Sequence, residues 1–223
     1  MTHGTARALH GLVALMAIVG LTMEVVTTVL EGPGLAGSTA DRLIRLFSYF
    51  TIVSTILIGA ISAMLAVRPK RDGHVFRVLR VDSLLCTGVT GIVHHVALSG
   101  AVDRSPVGEV SNLLLHTGVP LGAVLAWILV GPRPRITWAT AVWSVLPPIG
   151  WIAYTFTRGA VVGWYPYPFV DVTAIGYAAA ALNTAVIALM FFVLAAVARA
   201  VETRLAPAPR FGWARGMGPA GQS

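Results

Sequence analysis

Residues 44–67, IRLFSYFTIVSTILIGAISAMLAV, decide the fold, because they form an apolar run with a single arginine near its start. As a helix this run would extend about 36 Å, which is enough to cross the ~30 Å hydrocarbon core of a bilayer. Strands of a membrane barrel would instead be alternating segments of about ten residues. Similar apolar runs occupy residues 8–30, 79–100, 111–131, 137–157 and 174–198. The sequence therefore predicts an all-α integral membrane bundle of six transmembrane helices.

The composition supports a membrane location. Of the 223 residues, 56% are hydrophobic and only 11% are charged, whereas soluble domains carry about 25% charged residues. The connections between the runs are short, so residues 1–204 are predicted to form one transmembrane domain. Residues 205–223, rich in Pro, Gly and Ala, are predicted to be a disordered cytoplasmic tail. The single cysteine, Cys86, excludes an internal disulfide and a cysteine-based metal motif.

The placement of the basic residues predicts the orientation. If the first run begins inside the cell, 12 of the 16 basic residues lie on the cytoplasmic side and 4 on the outer side. This asymmetry follows the positive-inside rule and predicts that both termini are cytoplasmic in a multi-pass protein of the cell membrane. Topology thus accounts for the net charge of +7, and we expect no nucleic-acid partner.

Several polar residues share one depth near the outer ends of four predicted spans. A polar or charged side chain inside the bilayer is costly, so a group of them at one level requires a shared explanation. We interpret this level as a functional site that faces the outer leaflet. Its members are Glu24, Thr51, His94, His95, Asn112 and His116.

In the second predicted span, hydroxyl groups follow a helical period. Phe47, Thr51, Ser54 and Thr55 are spaced at i, i+4, i+7 and i+8, which places them on one face directed into the bundle. A hydroxyl in a membrane helix commonly bonds its own i−4 carbonyl, and this structural interpretation of Thr51 stays open.

The histidines of the third and fourth spans are candidates for the same site. Asn112, His116 and Pro120 are four residues apart and share a face, and Pro120 should bend the helix where His116 lies. Of the adjacent His94 and His95, one alone can face the bundle centre, and we expect it to be His94. A histidine hydrogen-bonded between helices without any chemistry is the structural alternative.

These residue types suit nucleophilic catalysis. A threonine hydroxyl becomes a nucleophile when a neighbouring base accepts its proton, and a neutral imidazole can serve as that base. Asn112, or a backbone amide released at the bend, is a candidate for stabilising an oxyanion. We expect Glu24 to be a neutral acid paired with a histidine. The apolar surroundings favour an acyl-chain substrate that enters from the outer leaflet.

Three segments of the chain resemble the androgen-induced membrane hydrolases, a family that includes the androgen-dependent regulator of tissue factor pathway inhibitor and bacterial multi-span relatives. The segments are RLFSYFTIVST (45–55), NLLLHTGVP (112–120) and RGAVVGWYPYPFVDV (158–172). Animal members hydrolyse fatty-acid esters of hydroxy fatty acids, and their essential threonine and histidine match Thr51 and His116. The resemblance implies hydrolysis of a lipid ester by this pair of residues.

The third of these segments is predicted to be an outer loop above the site. Tyr165, Tyr167 and Asp171 are expected either to form a lid or, with Arg158, to hold a substrate carboxylate. The alternative is an interfacial aromatic belt with a turn made rigid by proline.

The leading functional interpretation is an intramembrane threonine hydrolase that cleaves long-chain lipid esters without a cofactor. Its expected partners are the bilayer and an acyl-chain lipid substrate, and a homodimer stays open. One alternative is a haem- or metal-binding protein that uses His94, His95 and His116, with Glu24 as a further ligand. The other is a small transporter or scaffold without catalysis.

Overall fold

The computed structural model describes residues 3–100, 105–133 and 135–205, and in these residues the chain is helical, without strands. Residues 206–223, which include nearly all of the predicted disordered tail, lie outside the described residues. The helices are α1 (His3–Leu30), α2 (Thr39–Ser48), α3 (Phe50–Val67), α4 (His74–Val93), α5 (Pro106–Leu113), α6 (Val119–Val130), α7 (Trp138–Trp143), α8 (Leu146–Val162) and α9 (Val172–Arg204). Short 3₁₀ turns occupy Gly34–Ala36 and Pro168–Val170.

Five helices in the described part of the chain are long and apolar enough to cross a membrane. They are His3–Leu30, Phe50–Val67, His74–Leu98, Pro106–Val130 and Val172–Arg204. Many of their large apolar side chains are exposed, as expected of surfaces that face lipid. The prediction of an all-α membrane protein is therefore confirmed.

The predicted second span, 44–67, is not one continuous helix. Tyr49 is extended (φ −69°, ψ 134°) and separates α2 from α3. α2 begins at a side-chain cap, because the Ser38 hydroxyl accepts a hydrogen bond from the Asp41 N–H at 3.0 Å. Phe47 belongs to α2 and is half-exposed, so it does not share the face of Thr51 as the spacing predicted. α2 mixes charged and apolar residues, a composition suited to the membrane interface.

The predicted fifth span, 137–157, is likewise interrupted. α7 ends at Trp143 and α8 begins at Leu146, with a turn between them. Pro147 and Pro148 have no N–H to donate to the preceding turn, but both are tolerated in the first turn of α8, where those N–H groups need no partner within the helix. The chain therefore crosses this region as two helices of 6 and 17 residues.

Two π-helical turns widen the helices that carry the histidines. His94–Leu98 extends α4, and Leu114–Gly118 joins α5 to α6. In the second turn the Val119 N–H donates to the Leu114 carbonyl, five residues back. Pro120 has no N–H for the His116 carbonyl, which disrupts the regular helical hydrogen bonding at this point. Such turns occur often at functional sites.

Close helix packing depends on small residues. α4 contacts α3, α6, α7 and α9 and is the most buried of the five long helices. A β-carbon placed at Gly59 would lie 3.0 Å from the β-carbon of Ala17, and one placed at Gly20 would lie 2.6 Å from Leu115 Cδ2. α1 therefore packs closely on α3 and on the π turn that carries His116.

The buried carboxylate of Glu202 holds the C-terminal end of α9 against neighbouring elements. Glu202 is 2% exposed, and its Oε2 accepts the backbone N–H groups of Arg135 and Ile136 at 2.6 and 2.5 Å. Its Oε1 accepts from Trp127 Nε1 at 3.2 Å and lies 3.8 Å from the Arg80 guanidinium. This carboxylate thus ties α9 to α4, α6 and the segment before α7.

Candidate active site

Thr51 lies in the first turn of α3 because the helix begins immediately after the break at Tyr49. Its side chain is buried, and its Oγ1 lies 3.3 Å from His116 Nε2 and 3.3 Å from the Tyr167 hydroxyl. Its backbone N–H, which has no partner within the helix at this position, donates to the Tyr167 oxygen at 3.3 Å. Thr51 was predicted to lie about two turns inside a longer helix, whereas it stands at the start of a shorter one.

His116 faces Thr51 with one nitrogen and is held by the other. Its Nδ1 lies 3.1 Å from the Asn112 carbonyl oxygen. A carbonyl can only accept, so in the neutral ring Nδ1 carries the proton and Nε2 keeps its lone pair. That lone pair points to the Thr51 hydroxyl. The distance of 3.3 Å between Thr51 Oγ1 and Nε2 slightly exceeds the ~2.6–3.2 Å of a tight catalytic hydrogen bond, and such bonds commonly shorten on substrate binding.

Tyr167 completes a directional chain of hydrogen bonds. When Thr51 donates to His116, its oxygen can accept from the Tyr167 hydroxyl, which in turn accepts the Thr51 N–H. Burial raises the pKa of Tyr167 to about 12, so the phenol stays neutral and remains a donor. Its ring stacks on Phe169 at 5.1 Å and meets Tyr49 edge to face at 5.4 Å.

α4 approaches the π turn closely where His116 lies. A β-carbon placed at Gly91 would lie 3.1 Å from the His116 carbonyl oxygen and 3.3 Å from Pro120 Cβ. Glycine therefore lets α4 contact the π turn at His116 and the ring of Pro120. This contact fixes the position of His116 relative to the neighbouring helix.

Two cavities of different character meet at these residues. The first is apolar, has a volume of about 90 Å³ and is lined mainly by α3, α4, α8 and α9. The second, which we call the polar cavity because its lining contains more polar groups than that of the first, has a volume of about 880 Å³ and extends toward α2 and the loop before it. Both are lined by Thr51, Leu98, His116 and Tyr167. The hydroxyl and imidazole thus lie where an apolar chain and a polar group of one ligand would join.

Of the adjacent histidines, His94 lies at the centre and His95 does not. The His94 ring is buried and stacks on the His116 ring, with 4.0 Å between centroids and a 25° tilt. His95 is exposed, and its Nε2 lies 3.0 Å from Thr117 Oγ1.

The histidine arrangement is poorly suited to a shared metal. The nitrogen lone pairs lie in the ring planes, so rings stacked like His94 and His116 cannot direct them at one ion. No group of three or more His, Cys, Asp or Glu residues in the described ranges could hold a metal ion.

Asn112 supports His116 mainly through its backbone. Its carbonyl accepts from His116, while its side-chain Nδ2 lies 3.4 Å from His94 Nε2. The side-chain Oδ1 is buried without a hydrogen-bond partner among the described residues, and Asn112 lines the polar cavity. The side-chain amide of Asn112 is therefore a weaker candidate for stabilising the oxyanion than the groups beside Thr51.

The other polar candidates make contacts of their own. The Ser54 hydroxyl donates to the Thr51 carbonyl at 3.1 Å and lies 3.2 Å from Thr90 Oγ1, so it braces the first turn of α3. Thr55 is buried and lines neither cavity. Glu24 lines the polar cavity and accepts a short hydrogen bond from the Ser111 hydroxyl, rather than pairing with a histidine as expected.

In the segment predicted to be an outer loop, Tyr167 reaches the site while three other candidates have structural contacts, and Arg158 belongs to α8 rather than to a loop. Tyr165 packs against Gly159, where a β-carbon would lie 2.1 Å from its ring. Asp171 caps α9 by accepting the Thr173 N–H at 2.9 Å. The Arg158 guanidinium lies over the Trp164 ring at 5.2 Å. These three residues line neither cavity, so a charged lid composed of them does not form.

Sequence reasoning missed the aromatic support of the site. Trp151 of α8 donates from Nε1 to the Ser48 carbonyl at 3.0 Å, beside the break at Tyr49. Trp151 and Tyr167 rings lie 6.1 Å apart, and the Tyr49 and Trp164 rings meet edge to face at 5.8 Å. The only sequence signal was the density of aromatic residues in 45–50 and 164–169.

The fold and the site define the class of this protein as an α-helical, multi-span membrane protein with a buried polar site. Comparison with protein-family models, curated proteins and solved structures finds no match to the chain.

Proposed function

We propose that this protein is an intramembrane threonine hydrolase that cleaves long-chain lipid esters, with Thr51 as nucleophile and His116 as general base. The observation that carries the proposal is the 3.3 Å contact between Thr51 Oγ1 and His116 Nε2. The hydrogen bond from His116 Nδ1 to the Asn112 carbonyl leaves the Nε2 lone pair directed at the hydroxyl. This is the arrangement in which an imidazole activates a hydroxyl nucleophile.

The reaction has two stages. In the first, Thr51 Oγ1 attacks the ester carbonyl carbon while His116 Nε2 takes the hydroxyl proton, and a tetrahedral oxyanion forms. The bond to the leaving oxygen then breaks, and His116 returns the proton to that oxygen, which releases the alcohol and leaves an acyl group on Thr51. In the second stage, water attacks the acyl carbonyl carbon while His116 Nε2 takes a proton from it. The bond between the acyl carbon and Thr51 Oγ1 then breaks, and His116 returns the proton to Oγ1, which releases the fatty acid and restores the hydroxyl.

Two donors beside Thr51 suit the oxyanion. The Tyr167 hydroxyl and the Thr51 N–H lie next to the attacking oxygen, and the N–H belongs to the first turn of α3, where the helix dipole also favours negative charge. Both groups are fixed before reaction by the aromatic packing around Tyr167. They replace Asn112 as our candidates for stabilising the transition state.

The two cavities suggest how the substrate would bind. The apolar cavity suits the part of the acyl chain next to the ester, the polar cavity suits the more polar part of the ester, and the ester carbonyl would lie between them at Thr51. The resemblance of residues 45–55 and 112–120 to the androgen-induced membrane hydrolases supports the same pair of residues and the same class of bond.

We further propose that α7 and α8 together form a sixth span, which brings both termini to the cytoplasmic side. The helical residues from Trp138 to Val162 are numerous enough to cross a bilayer despite the turn between the two helices. The distribution of basic residues supports this orientation. Thr51 would then face the outer leaflet of the cell membrane.

The proposal is tested with the purified full-length protein in proteoliposomes. The measurement is the release of free fatty acid from a long-chain ester. Thr51→Ala removes the nucleophile and His116→Ala the base, and we expect activity to fall by about 10²–10⁴-fold in each variant. Thr55→Ala is the matched control, because Thr55 lies one turn further along α3 and lines neither cavity. A wild-type protein trapped with substrate should carry the acyl group on Thr51.

Full ester turnover in either Thr51→Ala or His116→Ala, with both proteins folded, would refute the hydrolase. Uptake of the ester into proteoliposomes without any product would favour a transporter instead.

A further inference from the structure

A basic cavity lies at the membrane face opposite Thr51. It has a volume of about 820 Å³ and is enclosed by the first turns of α1 and the loop between α3 and α4. Arg68 follows the last residue of α3, so the length of that helix separates the cavity from Thr51 by about 25 Å. The polar residues that line the cavity are His3, Arg7, Arg68, Lys70, Arg71 and Asp72.

The one acidic residue in this lining is already neutralised by other cations. Asp72 Oδ1 lies 2.6 Å from Arg77 Nε and 2.6 Å from the Arg135 guanidinium. Hydrogen bonding from Arg77 holds the pKa of Asp72 well below its usual range, so the carboxylate stays charged but is shared between these two arginines. Neither Arg77 nor Arg135 lines the cavity. The lining arginines and the lysine therefore keep a net positive charge.

Two of the lining cations, Arg7 and Arg71, are held by contacts, and the side chains of the other two have no partner among the described residues. The Arg71 guanidinium lies over the Phe76 ring, 5.4 Å from its centroid. Arg7 donates to the carbonyls of Ala66 and Val67 at 3.0 Å each, which fixes its guanidinium at the end of α3. Arg68 and Lys70 are exposed, and their side chains form no hydrogen bond or ion pair within the described residues. A concave site with fixed and unpaired cations is suited to a phosphate group.

We propose that this cavity binds the phosphate of an anionic phospholipid headgroup. It lies where the apolar residues of α3 end, which is the level of the lipid headgroups in a bilayer crossed by this helix. Juxtamembrane cations at this level attract anionic lipid. The headgroup would lie between α1 and the α3–α4 loop, with Arg68 and Lys70 closing around its phosphate.

The test measures binding of phosphatidylglycerol and phosphatidylcholine to the full-length protein in detergent micelles. We expect the wild type to prefer phosphatidylglycerol. One cation near an anionic lipid contributes about fivefold to binding, so Arg68→Gln should weaken it about fivefold and the double variant Arg68→Gln/Lys70→Gln about 25-fold. Arg204→Gln is the control, because the Arg204 side chain is also exposed and has no partner in the part of the chain that the structure describes, but it lies at the end of α9 and does not line the cavity. It should change binding less than twofold.

Several outcomes would overturn the proposal. Equal affinity of the wild type for both lipids would show that the cavity does not select an anion. An equal loss in Arg204→Gln and Arg68→Gln would assign the preference to diffuse surface charge. Binding of inorganic phosphate at this cavity without any preference for phosphatidylglycerol would identify soluble phosphate as the ligand. Ester hydrolysis in micelles of neutral detergent should be unchanged in the double variant, so this test is separate from that of the hydrolase.

Discussion

At the level of single residues, Thr51 differs from most hydroxyl residues in membrane helices. Ser48 and Thr184 show the usual behaviour, since each hydroxyl donates to the carbonyl four residues earlier, at 2.7 and 2.8 Å. Thr51 has no regular helical turn before it, because the chain is extended at Tyr49. Its hydroxyl is therefore directed at His116 and Tyr167 instead of its own backbone. The break makes the side chain available to neighbouring helices.

Tyr167 is the residue for which the structure gives the clearest new prediction. Tyr167→Phe keeps the aromatic packing and removes the hydroxyl that would stabilise the oxyanion. We expect kcat for ester hydrolysis to fall by about 10²–10³-fold with little change in KM. Steady-state kinetics of the purified variant measures both constants. A variant with wild-type kcat would exclude Tyr167 from the reaction.

The raised pKa of Tyr167 also predicts a pH dependence. The folded protein holds the neutral phenol to about pH 12, whereas an unfolded tyrosine ionises near 10. The stability contributed by the neutral form is thus complete below about pH 10 and is lost as the pH rises through about 12. In a spectrophotometric titration to pH 11, wild type and Tyr167→Phe should show equal phenolate absorbance. A larger signal in the wild type would contradict the burial of this hydroxyl.

At the level of elements, the contact between α4 and the π turn positions the base. The π turn interrupts the regular α-helix at His116, and Gly91 lets α4 approach this turn. A methyl group at Gly91 would meet a backbone carbonyl and a proline ring, neither of which can rotate away. The two helices would have to separate by a few tenths of an ångström.

Gly91→Ala tests this contact. We expect about a tenfold loss of ester hydrolysis, because small displacements of catalytic groups are costly, together with a destabilisation of about 1–3 kcal/mol from overpacking. Gly88→Ala is the matched control, since a β-carbon there has no atom within 4 Å. It should retain activity and gain up to about 1 kcal/mol of helix propensity. Similar effects in the two variants would show that the close approach at Gly91 is unimportant.

At the level of the whole molecule, Glu202 connects several elements of the bundle at the end remote from Thr51. One buried carboxylate satisfies the Trp127 indole and the backbone N–H groups of Arg135 and Ile136. Glu202→Ala would leave these donors unpaired and also leave Arg80 buried without its carboxylate.

Removing Glu202 should therefore destabilise the fold strongly. We expect a loss of about 3–5 kcal/mol, the range for breaking a buried ion pair, measured as a lower thermal unfolding midpoint in detergent. Lys70→Ala, at an exposed position of the loop between α3 and α4, is the control and should change stability by less than about 0.5 kcal/mol. An unchanged midpoint in Glu202→Ala would refute this role.

Local sequence was sufficient to identify the long membrane helices. A bilayer requires about 20 consecutive apolar residues, and this requirement can be read from each segment without knowledge of its neighbours. The interruptions at Tyr49 and at Ser144–Val145 were not predicted. Hydropathy averages over a window and does not detect a single extended residue within an apolar run.

The sequence also identified Thr51 and His116 as candidates. They share a predicted depth, and they lie in segments that resemble the androgen-induced membrane hydrolases. Tertiary structure decided which polar residues meet, because depth does not fix the rotation of a helix about its axis. It directed His94 inward and His95 outward, and it brought Tyr167, 116 residues away in the chain, to the Thr51 hydroxyl. The sequence by itself determined which segments form long apolar helices, since that depends on local composition. The composition of the site was decided by packing between distant segments.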